Sequence, residues 1–211
     1  MRVSTNSIRS AYDLAAEAYA QKFLKELDSK PFDRELLQRF AQLVGPGRQV
    51  LDVGCGPGHT TAHLSSLGLR TTGVDLSPRM IELATRTFPQ ATFEAGDFLA
   101  LSHQSSLFDG ILAFYCIVHL MPEQLAPAFV EMSRVLRPGG HLLVSFHVGS
   151  EVIHAENFLE TTAVLDFHFF EPALVLTALG LAGFKLIDCH IREPYESEHP
   201  SRRGYILSRK S

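Results

Sequence analysis

The sequence predicts an α/β fold: a doubly wound, largely parallel sheet with helices on both faces. Three observations point there. Short β-branched apolar runs alternate with stretches of helical period through most of the 211 residues, and such alternation calls for crossover helices and therefore parallel strands. An apolar run at 50–53 leads straight into a turn with glycines at 54, 56 and 58, and then into a helical stretch at 59–67. The last two extended runs, 184–191 and 204–208, have no helix between them, so one of the pair is expected to run antiparallel.

In chain order, residues 8–27 read as a helix because Tyr12, Ala15, Ala16, Tyr19 and Phe23 recur at three- and four-residue spacing. Pro31 breaks it, and Asp33 is placed to cap a second helix running to about Val44, which Gly45-Pro46-Gly47 ends. The run at 50–53 suits a strand covered on both faces, and Gly68 stops the helix behind it. Residues 71–74 form a short strand ending at Asp75. Ser77-Pro78 then supplies an N-cap and a first-position proline for a helix that buries Met80, Leu83 and Ala84. Residues 91–94 and 108–114 are the third and fourth strands. Pro122 opens a helix with Leu125, Phe129, Met132 and Leu136 on one face; Pro138-Gly139-Gly140 closes it, and 141–146 is the fifth strand. The segment 148–170 is less regular. Leu165, Phe167 and Phe169 alternate there as in a half-buried strand, expected to pack on the last helix, 172–181.

Composition narrows the function classes. An apolar fraction of 45 % and a charged fraction of 20 % are those of an ordinary globular domain, and a chain this long can bury about 70 % of its unfolded surface without metal or disulfide. A net charge of −4 offers no wide basic surface for nucleic acid. Cys55, Cys116 and Cys189 are widely spaced and read as reduced thiols. The polar stretch 1–12 lacks the core of a signal peptide, and the longest apolar run, 111–118, is too short to span a bilayer. These features predict a cytoplasmic protein with no membrane partner.

The glycine turn reads as a cofactor cradle, since glycine permits positive φ and close approach of a ligand. Asp75 lies 17 residues beyond Gly58, where doubly wound folds present an acid to ribose hydroxyls; the alternative is an N-cap or turn aspartate before Ser77, and with the glycines behind it the ligand reading wins. The dinucleotide pattern G-x-G-x-x-G is not met, because His59 stands at the third glycine's place. The pattern is D-x-G-x-G-x-G, with Asp52 ahead of the turn. An acid there opposes a pyrophosphate and suits a ligand carrying an ammonium beside a carboxylate, which argues against an NAD-dependent oxidoreductase.

Residues 50–58, Val74-Asp75-Leu76-Ser77, Gly96-Asp97, Phe108-Asp109-Gly110-Ile111 and Arg134-Val135-Leu136-Arg137-Pro138-Gly139-Gly140 together resemble the class I S-adenosylmethionine-dependent methyltransferases, over roughly residues 49–146. The resemblance implies a seven-stranded sheet in the order 3-2-1-4-5-7-6 with strand 7 antiparallel, and an N-terminal helical lid. It implies one domain: a lid at 1–47, a cofactor-binding core at 48–147, a substrate-side insertion at 148–171, and a last helix with an antiparallel strand pair at 172–211. By the same resemblance the backbone of Gly54, Gly56 and Gly58 carries the methionine part of S-adenosyl-L-methionine, and Asp52 helps hold its ammonium. Asp75 takes the ribose hydroxyls, Leu76 and Met80 lie against adenine or ribose, Asp97 and the Phe98 backbone meet the adenine, and Phe114 lies beside the methionine. Tyr12 and Tyr19 resemble aromatic residues that close over the cofactor, or they simply pack a helix face.

Within that family, Ala113-Phe114-Tyr115-Cys116 lacks the [N/D]-P-P-[Y/F] motif of nucleobase amine methylation, residues 115–120 lack the acidic cluster of metal-dependent catechol enzymes, and three isolated cysteines do not match the arsenic enzymes. The implied activity is in-line methyl transfer to a small-molecule acceptor, releasing S-adenosyl-L-homocysteine, with no metal. A protein or RNA acceptor, or a regulatory module that only binds the cofactor, stays open. His119 stands at the carboxyl end of the fourth strand and reads either as a general base or as a loop histidine ordering the turn before Pro122. His147 is the second base candidate, and Tyr115 is placed to orient the acceptor. His154, Glu156, Asp166 and His168 match no metal spacing. Arg192, Tyr195, Arg202 and Arg203 flank the final hairpin and read as a solvated loop or an anion contact.

Overall fold

The computed structural model of the chain describes residues 5–211; residues 1–4, part of the polar stretch weighed against a signal peptide, lie outside the described residues. Seven strands form one sheet: β1 (Gln49–Val53), β2 (Arg70–Asp75), β3 (Thr92–Ala95), β4 (Phe108–Phe114), β5 (Leu136–His147), β8 (Phe184–Arg192) and β9 (Arg203–Lys210), with β6 (Val152–Ala155) and β7 (Leu165–His168) forming a separate hairpin. The sheet order is β3-β2-β1-β4-β5-β9-β8. The neighbours from β3 to β5 are parallel, and β9 is antiparallel to both β5 and β8. This is the expected order, the final two strands counted past the hairpin.

The helices are α1 (Thr5–Phe23), α2 (Pro31–Val44), α3 (His59–Ser66), α4 (Pro78–Thr87), α5 (Leu125–Val135) and α6 (Pro172–Leu181). Proline sits in the first turn of α2, α4 and α6, where its missing N–H costs nothing. Ser77 caps α4 by accepting from the Met80 N–H.

Both faces of the sheet are covered, which explains the uninterrupted apolar strands. Leu51, Ile111, Leu142 and Val144 face α5 and α6 through Phe129, Met132, Val175 and Leu179. Val50, Leu112, Leu143 and Leu207 face the opposite layer through Leu37, Phe40, Val44 and Leu64. Each such side chain contributes roughly 1.5–3 kcal/mol on burial. No helix among the described residues is long and apolar enough to cross a membrane.

Four expectations need correction. The first helix ends at Phe23, and a 3-10 turn, Glu26–Ser29, takes over the rest of the stretch expected to be helical. Asp33 makes no cap: it is fully buried and hydrogen-bonded to Tyr205 and Arg192, far along the chain. Pro138-Gly139-Gly140 lies inside β5, not in a loop after α5. Leu136 already pairs with Phe108, and the ladder shifts register before Gly110 pairs with His141. Gly140 is needed there because a Cβ would meet the Asp109 carbonyl oxygen at 2.9 Å. Finally, the segment 148–170 contains the hairpin β6–β7, and Leu165 packs on Ala11 and Ala15 of α1 instead of on the last helix. Two alanines one turn apart give α1 a flat face that admits the hairpin closely.

Candidate functional site

The carboxyl ends of β1, β2 and β4 surround a cavity lined by Gly54, Gly56, Asp75, Leu76, Met80, Asp97, Phe98, Phe114, Tyr115 and His119, with Tyr12 and Tyr19 of α1 across its top. Thr5, Ile8, Leu99, Cys116, Leu120 and Gln124 complete the wall. Twelve of the sequence-predicted residues therefore meet in one place, and Asp52, Gly58 and His147 are outside it.

The glycine turn is shaped by the protein's own hydrogen bonds. The N–H groups of Gly54 and Cys55 both donate to the Val74 carbonyl, and that of Gly58 donates to the Cys55 carbonyl. Gly56 N–H donates to Asp75 Oδ2 at 2.8 Å. Pro57 has no N–H, so residues 54–58 themselves keep no free donor. Gly56 has φ +52° and leaves open space up to Tyr19, 3.7 Å from a built Cβ. Gly54, at φ +68°, is required by Cys116, whose Cβ would lie 2.3 Å from any Cβ added there.

Gly58 was expected beneath a ligand, and its role is different. At φ +87° it begins α3, and a Cβ would stand 2.7 Å from the Phe93 ring and 2.9 Å from Ala84 Cβ. It closes the packing of α3 on its neighbours and does not line the cavity. Asp52 is displaced likewise: it is fully buried and its Oδ2 accepts from Thr60 Oγ1 at 2.7 Å and Thr61 Oγ1 at 2.6 Å. It ties the first turn of α3 to β1. Its Oδ1 is buried with no partner, and burial pushes its pKa up to about 6.

Asp75 ends β2 with both oxygens engaged, Oδ2 by Gly56 N–H and Oδ1 by Ser77 N–H at 2.8 Å. Lone pairs remain for two further donors from the cavity. Burial is the main cause that pushes its pKa up to about 6; these backbone donors oppose it and nearby Asp13 adds to it. Asp97 accepts from Leu99 N–H through Oδ1 alone.

Beyond the end of β4, His119 has both ring nitrogens fixed. Nδ1 lies 2.8 Å from the Asp166 carbonyl oxygen in β7, and Nε2 lies 2.7 Å from Tyr12 Oη. A carbonyl only accepts, so Nδ1 carries the proton and Nε2 accepts from the tyrosine. Burial lowers the imidazole pKa to about 4, leaving it neutral. α1 is docked on its other side by Asp13, which accepts from Ser77 Oγ at 2.6 Å and from Arg79 N–H.

The other two catalytic candidates change role. Tyr115 has φ +54°, a left-handed conformation held by its N–H bonding to Ser145. Its hydroxyl lies 2.7 Å from Tyr205 Oη, which itself donates to Asp33 Oδ1 at 2.9 Å. Tyr205 having spent its proton, Tyr115 is the donor, and its hydroxyl is committed to Tyr205. His147 stacks on Phe169 at 4.8 Å and bonds Ser201 Oγ through Nδ1, behind the Tyr115 ring. Burial and the nearby Arg203 charge take its pKa down to about 3.

Sequence reasoning missed the buried ionic network behind Tyr115. Arg192 pairs with Asp33 at 2.8 Å and with Glu198 at 2.7 Å, and Lys30 pairs with Glu198 at 3.0 Å and with Glu26. Arg192 and Arg203 are not on a solvated loop; Arg203 is 3 % exposed. Nothing local announces this, because its members come from residues 26–33 and 192–205. Similarly, His154 and Asp166 face each other across the β6–β7 hairpin and form an ordinary pair.

Known proteins resemble this chain in sequence and in fold. The profile of a family described as a methyltransferase domain matches residues 50–140. An O-methyltransferase of Pyrenophora dematioidea is 29 % identical over 79 % of the chain and 66 % of its own length. The O-methyltransferase cnsE of Penicillium expansum is 33 % identical over 67 % of the chain and 54 % of its own length. The chain thus spans between about half and two thirds of these curated relatives. Among solved structures, the magnesium protoporphyrin IX methyltransferase of Synechocystis with bound S-adenosylhomocysteine superposes with a TM-score of 0.75 over 98 % of this chain and 99 % of that one, at 16 % identity, which is a likeness of fold.

Proposed function

We propose that this chain is a class I S-adenosylmethionine-dependent methyltransferase that transfers a methyl group to a small molecule bearing a hydroxyl or amine. The observation that carries the reading is the cavity itself. A glycine turn with no free donor, two strand-end carboxylates and a neutral histidine share one wall, under a helix that brings two tyrosines across the top.

The residues fit the cofactor. Asp75 accepts the two ribose hydroxyls through its remaining lone pairs, and Asp97 takes the adenine amino group, with the Phe98 backbone and the side chains of Leu76 and Met80 beside the nucleoside. Gly54 and Gly56 would carry the methionine part, with Phe114 and Tyr19 lining the cavity beside it. Asp52, its Oδ1 unpartnered beneath the turn, contributes negative charge below a cationic group. When bound, the cofactor supplies a methyl group on a positively charged sulfur. The protein adds alignment and a water-poor wall. His119 Nε2 is the base for the acceptor's proton, a role open at neutral pH because the ring is uncharged.

Calorimetry with S-adenosylhomocysteine against NAD, followed by transfer of labelled methyl into fractionated cell extract, tests the assignment. Binding of NAD alone, or no transfer from a protein that binds S-adenosylhomocysteine, would overturn it. His119→Ala is expected to slow transfer at least tenfold, within the range of roughly 10²–10⁴ for loss of a general base, and to leave cofactor affinity within about twofold of wild type. Unchanged turnover removes His119 as the base.

A further inference from the structure

The geometry points to Tyr12 as a second catalytic residue, its hydroxyl relaying the acceptor's proton to His119 Nε2. This rests on the methyltransferase reading and extends it to a residue of the lid helix. The Nε2 lone pair is the only basic position of His119, and the structure fills it with the Tyr12 O–H at 2.7 Å. An acceptor in the cavity therefore meets the tyrosine oxygen and not the imidazole. Tyr12 lines the same cavity, and its oxygen keeps lone pairs after donating.

Three contacts hold the pair in line. The Asp166 carbonyl fixes the histidine tautomer from β7. The Phe167 ring lies 4.9 Å from the His119 ring. Asp13, next to Tyr12 on α1, anchors that helix to Ser77 and Arg79. The lid helix is in this way part of the proton path.

The step balances. The acceptor's O–H or N–H proton passes to Tyr12 Oη while the Tyr12 proton passes to Nε2. The acceptor's freed electron pair forms the bond to methyl, and the pair of the broken bond stays on sulfur as a neutral thioether. One positive charge is present throughout, first on sulfur and then on the imidazolium, whose Nδ1–H bond to the Asp166 carbonyl becomes charge-assisted. A ring that is hard to protonate in the empty cavity can thus accept a proton as the sulfur loses its charge.

The test compares wild type, Tyr12→Phe, His119→Gln and the double variant, using labelled S-adenosylmethionine with soluble cell extract as acceptor source and S-adenosylhomocysteine calorimetry in parallel. Tyr12→Phe is expected to lower the initial rate at least tenfold with S-adenosylhomocysteine affinity within about twofold, and the double variant to be no slower than the slower single one, as for groups acting as a unit. Equal rates for wild type and Tyr12→Phe overturn the relay and leave the methyltransferase reading standing. A loss of affinity matching the loss of rate makes Tyr12 a cofactor contact and also overturns it. No transfer by wild type overturns both. Should Tyr12→Phe melt early, 3-fluorotyrosine at position 12 keeps ring and hydroxyl while lowering the hydroxyl pKa. A pH–rate profile unmoved by that replacement overturns the relay.

Discussion

The two halves of the cavity are built in opposite ways. The half at β1–β3 is made of short sequence motifs, each ending a strand: the glycine turn after β1, Asp75 after β2 and Asp97 after β3. The half at β4–β5 is assembled from pieces far apart in sequence. Tyr12 meets His119 across 107 positions, and Tyr205 meets Asp33 across 172. In the first half, neighbouring strands bring the motifs together, and the fold itself is enough to make the site. In the second, buried polar bonds between distant segments set which side chain faces the cavity. A cofactor shared by many enzymes suits the first kind of construction. An acceptor particular to one enzyme suits the second, where lid, hairpin and loops vary over a constant sheet.

This contrast predicts a separation of effects. The largest lies in the distant network. Arg192→Ala leaves Asp33 and Glu198, whose side chains are 0 % and 3 % exposed, without their main counter-charge. Breaking a buried pair in this way costs about 3–5 kcal/mol, read as a lowered denaturant midpoint. The affinity of the remaining folded protein for S-adenosylhomocysteine should be unchanged; a large drop in it would erase the division between the halves.

The next effect lies in the local half. On the proposed reading, Asp75→Ala removes two hydrogen bonds to an ionised acceptor, each worth about 1.5–3 kcal/mol. The dissociation constant for S-adenosylhomocysteine should rise roughly 10²-fold or more by calorimetry. A change below about threefold would mean that the ribose lies elsewhere.

The smallest effect is a pH dependence that only the local half should show. Burial, with Asp13 nearby, raises Asp75 to about 6. The ligand-binding form is the carboxylate, so affinity should be flat above that pH and weaken as pH falls through it, by at most about tenfold per unit. His119, held to about 4 and neutral throughout, adds nothing between pH 5 and 8. A limb that persists in Asp75→Asn would assign the titration to another group and blunt the comparison.

What was legible in the sequence follows the same line. Residues 108–114 and 172–181 were read with their observed ends, because strand and helix period, a starting proline and flanking turns are all local signals. The β6–β7 hairpin was half visible, in the alternation at Leu165, Phe167 and Phe169, but its docking on α1 was not, since alanines carry no directional signal. Asp52 and Gly58 belong to the motif and yet lie outside the cavity. A motif records which residues a turn requires, and these two tie and pack α3 from outside the cavity.

By itself the sequence determined the order of strands and helices, the antiparallel end of the sheet, and the acids and glycines at the strand ends, since each depends on residues within a few positions of one another. Only the tertiary structure decided how the side chains of the β4–β5 wall are oriented. It turned the Tyr115 hydroxyl toward Tyr205, placed His147 behind it, and closed the Nε2 of His119 with Tyr12. A side chain's hydrogen-bond partner in a buried site is chosen by whatever the fold brings within about 3 Å, and those partners lie a hundred positions or so away.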